Sequence, residues 1–114
     1  MTLSVSSYRR NEDGSKTEIP LQNEIAGVES TRRTFYGSVR SEELGLKLLP
    51  LLKDQAFLEV CGSELVALHS EVRILLESLP SGEEGEYWRF RLNNISAAID
   101  AASACDEAGC VSIG

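Results

Sequence analysis

Apolar residues in the second half of the chain repeat with the period of an α-helix. Steps of three and four residues give one stripe at Leu65, Leu68, Val72, Leu75 and Leu79. The same steps give a second stripe at Trp88, Leu92, Ile95, Ile99 and Ala102. The pattern predicts a first helix capped by Ser63 and ended at Pro80, and a second over residues 87–108 with Gly109 as a left-handed C′ residue. Two helices joined by a short loop predict an αα-hairpin.

The first half of the chain has the shorter alternation and the turn residues of a β-sheet. Leu3 and Val5 alternate with polar neighbours, and the turn residues 11–14 predict a hairpin whose return arm ends near Pro20. Further strands are expected at residues 25–29, 33–39 and 56–61, and a final one at residues 110–113. Ser41 is expected to cap a short helix, and Pro50 divides residues 44–53 into two turns or a kinked helix.

These elements predict an α+β fold over residues 1–114 as a single domain. The expected architecture is a mostly antiparallel sheet packed against the αα-hairpin, with a short C-terminal strand. A chain of 114 residues has the usual size of one domain, and 42% hydrophobic with 25% charged residues is typical of globular proteins.

The net charge of -7 is distributed unevenly. Residues 1–57 hold eight basic and eight acidic side chains, whereas residues 58–114 hold three bases against ten acids. An acidic chain is unsuited to gripping a phosphate backbone, so general nucleic-acid binding is not expected. The acidity is expected to lie on one face of the helical half. Five arginines in the first half (Arg9, Arg10, Arg32, Arg33 and Arg40) leave a local contact with an anion open.

The compartment is expected to be the cytoplasm. The first ten residues lack the basic and apolar regions of a signal peptide, and no uninterrupted apolar run is long enough for a membrane span. The three cysteines, Cys61, Cys105 and Cys110, are an odd number and are expected to be free thiols.

No motif for catalysis, cofactor binding or metal binding is present in the sequence. His69 is the only histidine, and without a fixed partner it is expected to be structural or solvated. Cys61 precedes a helix start, which can activate a thiol, but a buried cysteine at a strand end is the simpler expectation.

The most distinctive surface feature is an acidic segment around the loop between the two predicted helices. Its members, predicted to bind a partner, are Glu77, Glu83, Glu84, Glu86 and Tyr87. Acids at the start of a helix are also favoured by the helix dipole, so a purely structural explanation stands beside the functional one. The functional hypothesis is a surface that docks onto a basic protein. Trp88 is expected to lie in the core.

Three segments resemble small acidic bacterial immunity proteins of polymorphic and contact-dependent toxin systems. They are AGVESTRRTFYGSV (residues 26–39), SEELGLKLLPLL (residues 41–52) and NNISAAIDAASACDEAGCVSIG (residues 93–114). The resemblance implies a cytoplasmic inhibitor that binds a toxin domain and blocks its substrate site, without a cofactor. It assigns no binding residue by position.

Two other classes of function stay open. One is a small enzyme with an unrecognised site that uses His69 or Cys61. The other is a homodimeric structural or assembly protein, since small side chains along the polar face of the second helix allow close approach of another chain.

Overall fold

The computed structural model describes residues 2–114. Strand β1 (Thr2–Arg10) lies inside the sheet and pairs with three other strands. Strand β2 (Lys16–Ile19) pairs with the second half of β1, and β3 (Ile25–Val28) pairs with its first three residues. Strand β5 (Gly109–Ile113) lies between β1 and β4 (Leu58–Cys61). All of these pairs are antiparallel.

The predicted helical hairpin packs on this sheet. It consists of α2 (Leu65–Glu77) and α3 (Glu83–Ser103), which follow a shorter helix, α1 (Val39–Glu43). The Ser7 hydroxyl donates to the carbonyl of Ala98, which ties the middle of β1 to α3 at 3.0 Å. The predicted α+β class, with an antiparallel sheet against an αα-hairpin and a C-terminal strand, is confirmed. Among residues 2–114, no helix combines the length and apolar character needed to cross a membrane.

The predicted turn of the N-terminal hairpin is also confirmed. Gly14 has φ +88°, a conformation that glycine adopts without steric cost, and Asn11 exchanges backbone hydrogen bonds with Gly14 and Ser15.

The strand predicted at residues 33–39 is wrong. The chain instead forms a π-helical turn at Arg32–Tyr36. Phe35 stacks on Trp88 with 3.6 Å between ring centroids, while Tyr36 meets the same indole edge-on and donates its hydroxyl to Ala26. A strand would send two consecutive side chains to opposite faces, so only a helical turn lets both rings contact Trp88.

Several predicted helix ends are also wrong. Ser38, not Ser41, caps α1, because the Ser38 hydroxyl accepts from the Ser41 amide. Ser63 does not cap α2 and lies in a 3₁₀ turn, Gly62–Glu64, that leads into the helix. Helix α3 begins at Glu83 and ends at Ser103, and a separate 3₁₀ turn follows at Asp106–Ala108.

Gly109 is the first residue of β5 rather than a left-handed helix cap, with φ -80° and ψ 135°. A side chain there would place its Cβ 1.7 Å from the carbonyl oxygen of Ala102. Gly109 is therefore needed for the close approach of the last strand to α3, not for a positive φ.

The prediction of three free thiols is wrong. Cys61 and Cys110 are directly opposite each other in the β4–β5 register and form a disulfide, so only Cys105 is free. The bond closes a loop of 49 residues that contains both helices of the hairpin. A covalent link across so long a loop restricts the unfolded chain and stabilises the sheet.

A buried carboxylate joins α2 to the segment that follows α1. Glu71 is only 8% exposed, and its two oxygens accept the backbone N–H groups of Lys47, Leu48 and Leu49 at 2.9 to 3.1 Å. These amides begin the 3₁₀ helix Leu49–Lys53, whose first N–H groups have no partner within the helix itself. Glu71 therefore acts as the cap of this helix from another part of the chain.

A guanidinium group fixes the other end of the same segment. Arg32 forms an ion pair with Glu29 and donates to the carbonyls of Leu52, Gln55 and Ala56. Its hydrogen bonds connect the π-helical turn to the chain that enters β4. Arg32 is thus occupied within the fold and is not available for the anion contact considered from the sequence.

We predict that Glu71→Ala lowers the free energy of unfolding by about 3 kcal/mol, because three buried amides lose their acceptor. Glu71→Gln should lower the free energy of unfolding by less, because one acceptor oxygen remains. Glu77→Ala, an exposed substitution on the same helix, should change the free energy of unfolding by less than about 0.5 kcal/mol. Urea unfolding followed by circular dichroism measures all three, and an equal effect of Glu71→Ala and Glu77→Ala would contradict the capping role.

Candidate functional site

The predicted partner-binding residues lie together at one end of the helical hairpin. Glu77 is the last residue of α2, and the other four residues belong to the first turns of α3. A Cβ on Gly85 would lie 1.9 Å from the Pro80 carbonyl oxygen, so glycine at this position lets the connecting loop pass directly over the helix start. The loop therefore brings the end of α2 beside the start of α3.

The four carboxylates of this end are solvent-exposed and unneutralised. None of Glu77, Glu83, Glu84 and Glu86 forms an ion pair with another side chain in residues 2–114. The N-terminal end of α3 stabilises the three acids in its first turn through its dipole. Their negative charge is consequently compatible with the fold and still available to a partner.

Two exposed aromatic rings continue from the acids along α3. Tyr87 is 40% exposed and Phe90 is 47% exposed. Positions 83, 87 and 90 are separated by four and three residues, so Glu83, Tyr87 and Phe90 share one side of the helix. We call Glu83, Glu86, Tyr87 and Phe90 the α3 face. Trp88 lies on the other side of α3 and is in the core, as predicted.

Arg91 holds the Tyr87 ring in place. Its guanidinium carbon lies 3.4 Å from the ring centroid, and one of its terminal nitrogens donates to the Tyr87 carbonyl at 3.0 Å. This cation–π contact favours the observed orientation of the Tyr87 ring in the unbound chain. A ring that is already ordered loses less entropy on binding, which favours its use as an anchor.

Phe90 and Arg91 were not among the residues predicted from the sequence. Phe90 falls three residues after Tyr87 and off the apolar stripe that passes through Trp88 and Leu92. An aromatic residue outside the stripe of an amphipathic helix is the signal that would have identified it.

The acidity of the second half does not lie on one face, contrary to the prediction. A second group of exposed acids lies near the opposite end of the hairpin, at Glu64, Asp100, Asp106 and Glu107. Since α3 has 21 residues, its two ends are about 30 Å apart. The chain therefore carries two separate acidic patches.

The two remaining acids of the second half are engaged by other groups. Glu71 is the buried cap described above. Glu59 lies on the face of the sheet opposite Ser7, where it accepts a hydrogen bond from Tyr8 and pairs with Arg10 and Lys16 at 3.4 and 3.5 Å. The hydrogen bond from Tyr8 holds the pKa of Glu59 below its usual value. Burial, followed by the bond to Glu59, raises the pKa of Tyr8 to about 12.

His69 lines a small cleft between α2 and α3. The cleft has a volume of about 170 Å³, and Asp100 and Ser103 also line it. In the part of the chain that the structure describes, no hydrogen bond joins these three side chains. The enzyme hypothesis therefore has a cleft beside His69 but no established pairing of His69 with an acid or a nucleophile.

Cys61, the other residue considered for catalysis, is bonded to Cys110 and is not a nucleophile in this state. Within residues 2–114, no group of three or more His, Cys, Asp or Glu side chains converges as metal ligands would.

Comparisons with protein-family models, with curated proteins and with solved structures found no match to this chain.

Proposed function

We propose that this chain is a protein-binding module without catalytic activity, and that the α3 face contacts its partner. The observation that carries the proposal is the pair of exposed rings, Tyr87 and Phe90, beside carboxylates that form no ion pair within residues 2–114. Interfaces are enriched in aromatic anchors surrounded by a polar rim. The α3 face has this composition, and the Arg91 guanidinium packs on the Tyr87 ring.

The partner we propose is a protein with a basic surface. Carboxylates around the rings would steer a cationic partner toward the face and disfavour an acidic one. The rings would then supply the apolar contact that keeps the complex together. The second acidic patch is about 30 Å away, and among the described residues it has no comparable pair of exposed rings. We therefore assign binding to the first patch, Glu77, Glu83, Glu84 and Glu86.

The specific role we propose is that of an immunity-type inhibitor. In this role the α3 face would cover the basic substrate site of a toxin domain and exclude its substrate. The proposal rests on the resemblance of the three segments quoted above and on the acidic, aromatic composition of the face. It requires neither a cofactor nor a change of shape in this chain.

A homodimer through the same face is the alternative. Two copies would bring their carboxylates together, and like charges oppose such an association. We therefore favour a different, basic protein. Sedimentation equilibrium at micromolar concentration separates the two, because our proposal predicts the mass of a monomer.

We predict that removing the charge of the first patch slows association with the partner, the first candidate being the protein encoded by the adjacent gene. The triple change of Glu83, Glu84 and Glu86 to Gln should lower the association rate about tenfold at low ionic strength and much less at high salt. Stopped-flow or surface plasmon resonance measures the rate.

The matched control removes three charges from the second patch through Glu64→Gln, Asp106→Asn and Glu107→Gln. This variant should associate nearly as fast as the unchanged protein. Equal slowing by the two triple variants would mean that only net charge matters, and it would contradict the assignment of binding to the first patch. Both variants should fold normally, because exposed charges contribute little to stability.

Location in the cytoplasm stays a prediction. Its argument from free cysteines no longer holds, since the Cys61–Cys110 disulfide is typical of oxidising compartments. Cell fractionation followed by immunoblotting tests the location. A cytoplasmic protein predicts recovery from the cytoplasmic fraction, and recovery from an extracytoplasmic fraction would contradict it.

A further inference from the structure

A cleft of about 250 Å³ opens where the π-helical turn and α1 meet the loop of the helical hairpin. Its apolar wall contains the stacked rings of Phe35 and Trp88 together with Leu75, Leu79 and Pro80. Its polar lining comprises Thr34, Ser38, Arg40, Ser41, Ser78 and Glu84. At this volume the cleft is slightly below the range of about 300 to 1,000 Å³ that suits drug-sized ligands, so a smaller molecule fits it better.

Each of the four hydroxyl groups in the lining donates a hydrogen bond to another group of the protein. Thr34 donates to the carbonyl of Ser30, and Ser78 donates to that of Leu75. Ser38 donates to Ser41, whose own hydroxyl donates to the carbonyl of Phe35. These groups can therefore only accept hydrogen bonds from a ligand.

The two charged groups of the lining have opposite signs and do not neutralise each other. In residues 2–114, Glu84 has neither an ion pair nor a side-chain hydrogen bond. Arg40 makes one long contact, from a terminal nitrogen to the Ser78 carbonyl at 3.4 Å, and keeps its other donors. The cleft thus presents one cationic donor, one anionic acceptor and several neutral acceptors beside an aromatic wall.

We propose that this cleft binds a small zwitterionic amino acid. Its ammonium group would donate to Glu84 and the hydroxyl oxygens, and its carboxylate would accept from Arg40. Its apolar portion would pack on Phe35 and Trp88. A zwitterion gains a charge-assisted contact at both charges of the lining, whereas a simple amine gains one only at Glu84 and a simple carboxylate only at Arg40. The cleft shares Glu84 with the first acidic patch but uses none of the four residues of the α3 face.

Trp88 is the only tryptophan of the chain and lies in the wall, so its fluorescence reports directly on occupancy. The probes are L-phenylalanine and 6-aminohexanoate, which differ in the spacing of their two charges. Phenethylamine and 3-phenylpropionate each keep only one charge. We expect one of the two zwitterions to bind saturably, at least about tenfold more tightly than either singly charged analogue.

Two variants test the assigned roles. Arg40→Gln and Glu84→Gln should each weaken binding of that zwitterion by about tenfold or more. The matched controls, Arg33→Gln and Glu83→Gln, change the same charges on exposed residues outside the lining and should leave binding unchanged. All four residues are exposed, so circular dichroism should show an intact fold.

The proposal is overturned if neither zwitterion gives a saturable change below about 10 mM, a concentration that still detects very weak binding. It is equally overturned if a singly charged analogue binds as tightly, or if the controls weaken binding as much as the lining variants. If Glu84→Gln loses zwitterion binding but keeps partner binding, the result supports the proposed ligand site in the cleft. A failure to detect partner binding would count only against the proposed partner surface.

Discussion

The arrangement of the helices depends on a carboxylate that is almost fully buried. Glu71 accepts three consecutive amides from the chain between α1 and β4, and these amides have no other acceptor at the start of a 3₁₀ helix. The interaction fixes residues 47–49 against α2, and the apolar side chains of Leu49 and Leu52 enter the core from this segment. Arg32 then binds the carbonyls at the end of the same segment and holds the π-helical turn beside it. Phe35, in the same π-helical turn, stacks on Trp88.

Helix α3 has one side buried in the core and another side exposed to solvent. Its buried side packs against the sheet, to which the Ala98 carbonyl and the Asn94 side chain are hydrogen-bonded. Its first turns project Glu83, Tyr87 and Phe90 into solvent. The Cys61–Cys110 disulfide covalently links β4 to β5 within the sheet.

Local patterns predicted the parts of the fold that depend on local sequence. The apolar stripes located α2 and most of α3, and the apolar run at residues 110–113 located the last strand. The prediction failed where contacts distant in sequence determine the conformation. Phe35 and Tyr36 have high strand propensity, but both pack against Trp88, more than 50 residues later, and this contact requires a helical turn. Glu71 accepts from backbone amides 22 to 24 residues away, and Arg32 donates to carbonyls 20 to 24 residues away. The disulfide joins positions 49 residues apart.

The acidic residues of the candidate site were predictable from the sequence, but their arrangement in space was not. Counting charges located the acids of the second half, yet only the fold separates them into two patches and removes Glu59 and Glu71 from both.

The most direct test of the proposed binding surface compares two exposed phenylalanines, Phe90 on the α3 face and Phe57 before β4, which are 47% and 67% exposed. Isothermal titration with the partner should show Phe90→Ala weakening binding about tenfold or more and Phe57→Ala leaving it unchanged. An unchanged affinity for Phe90→Ala, or an equal loss for Phe57→Ala, would contradict the account.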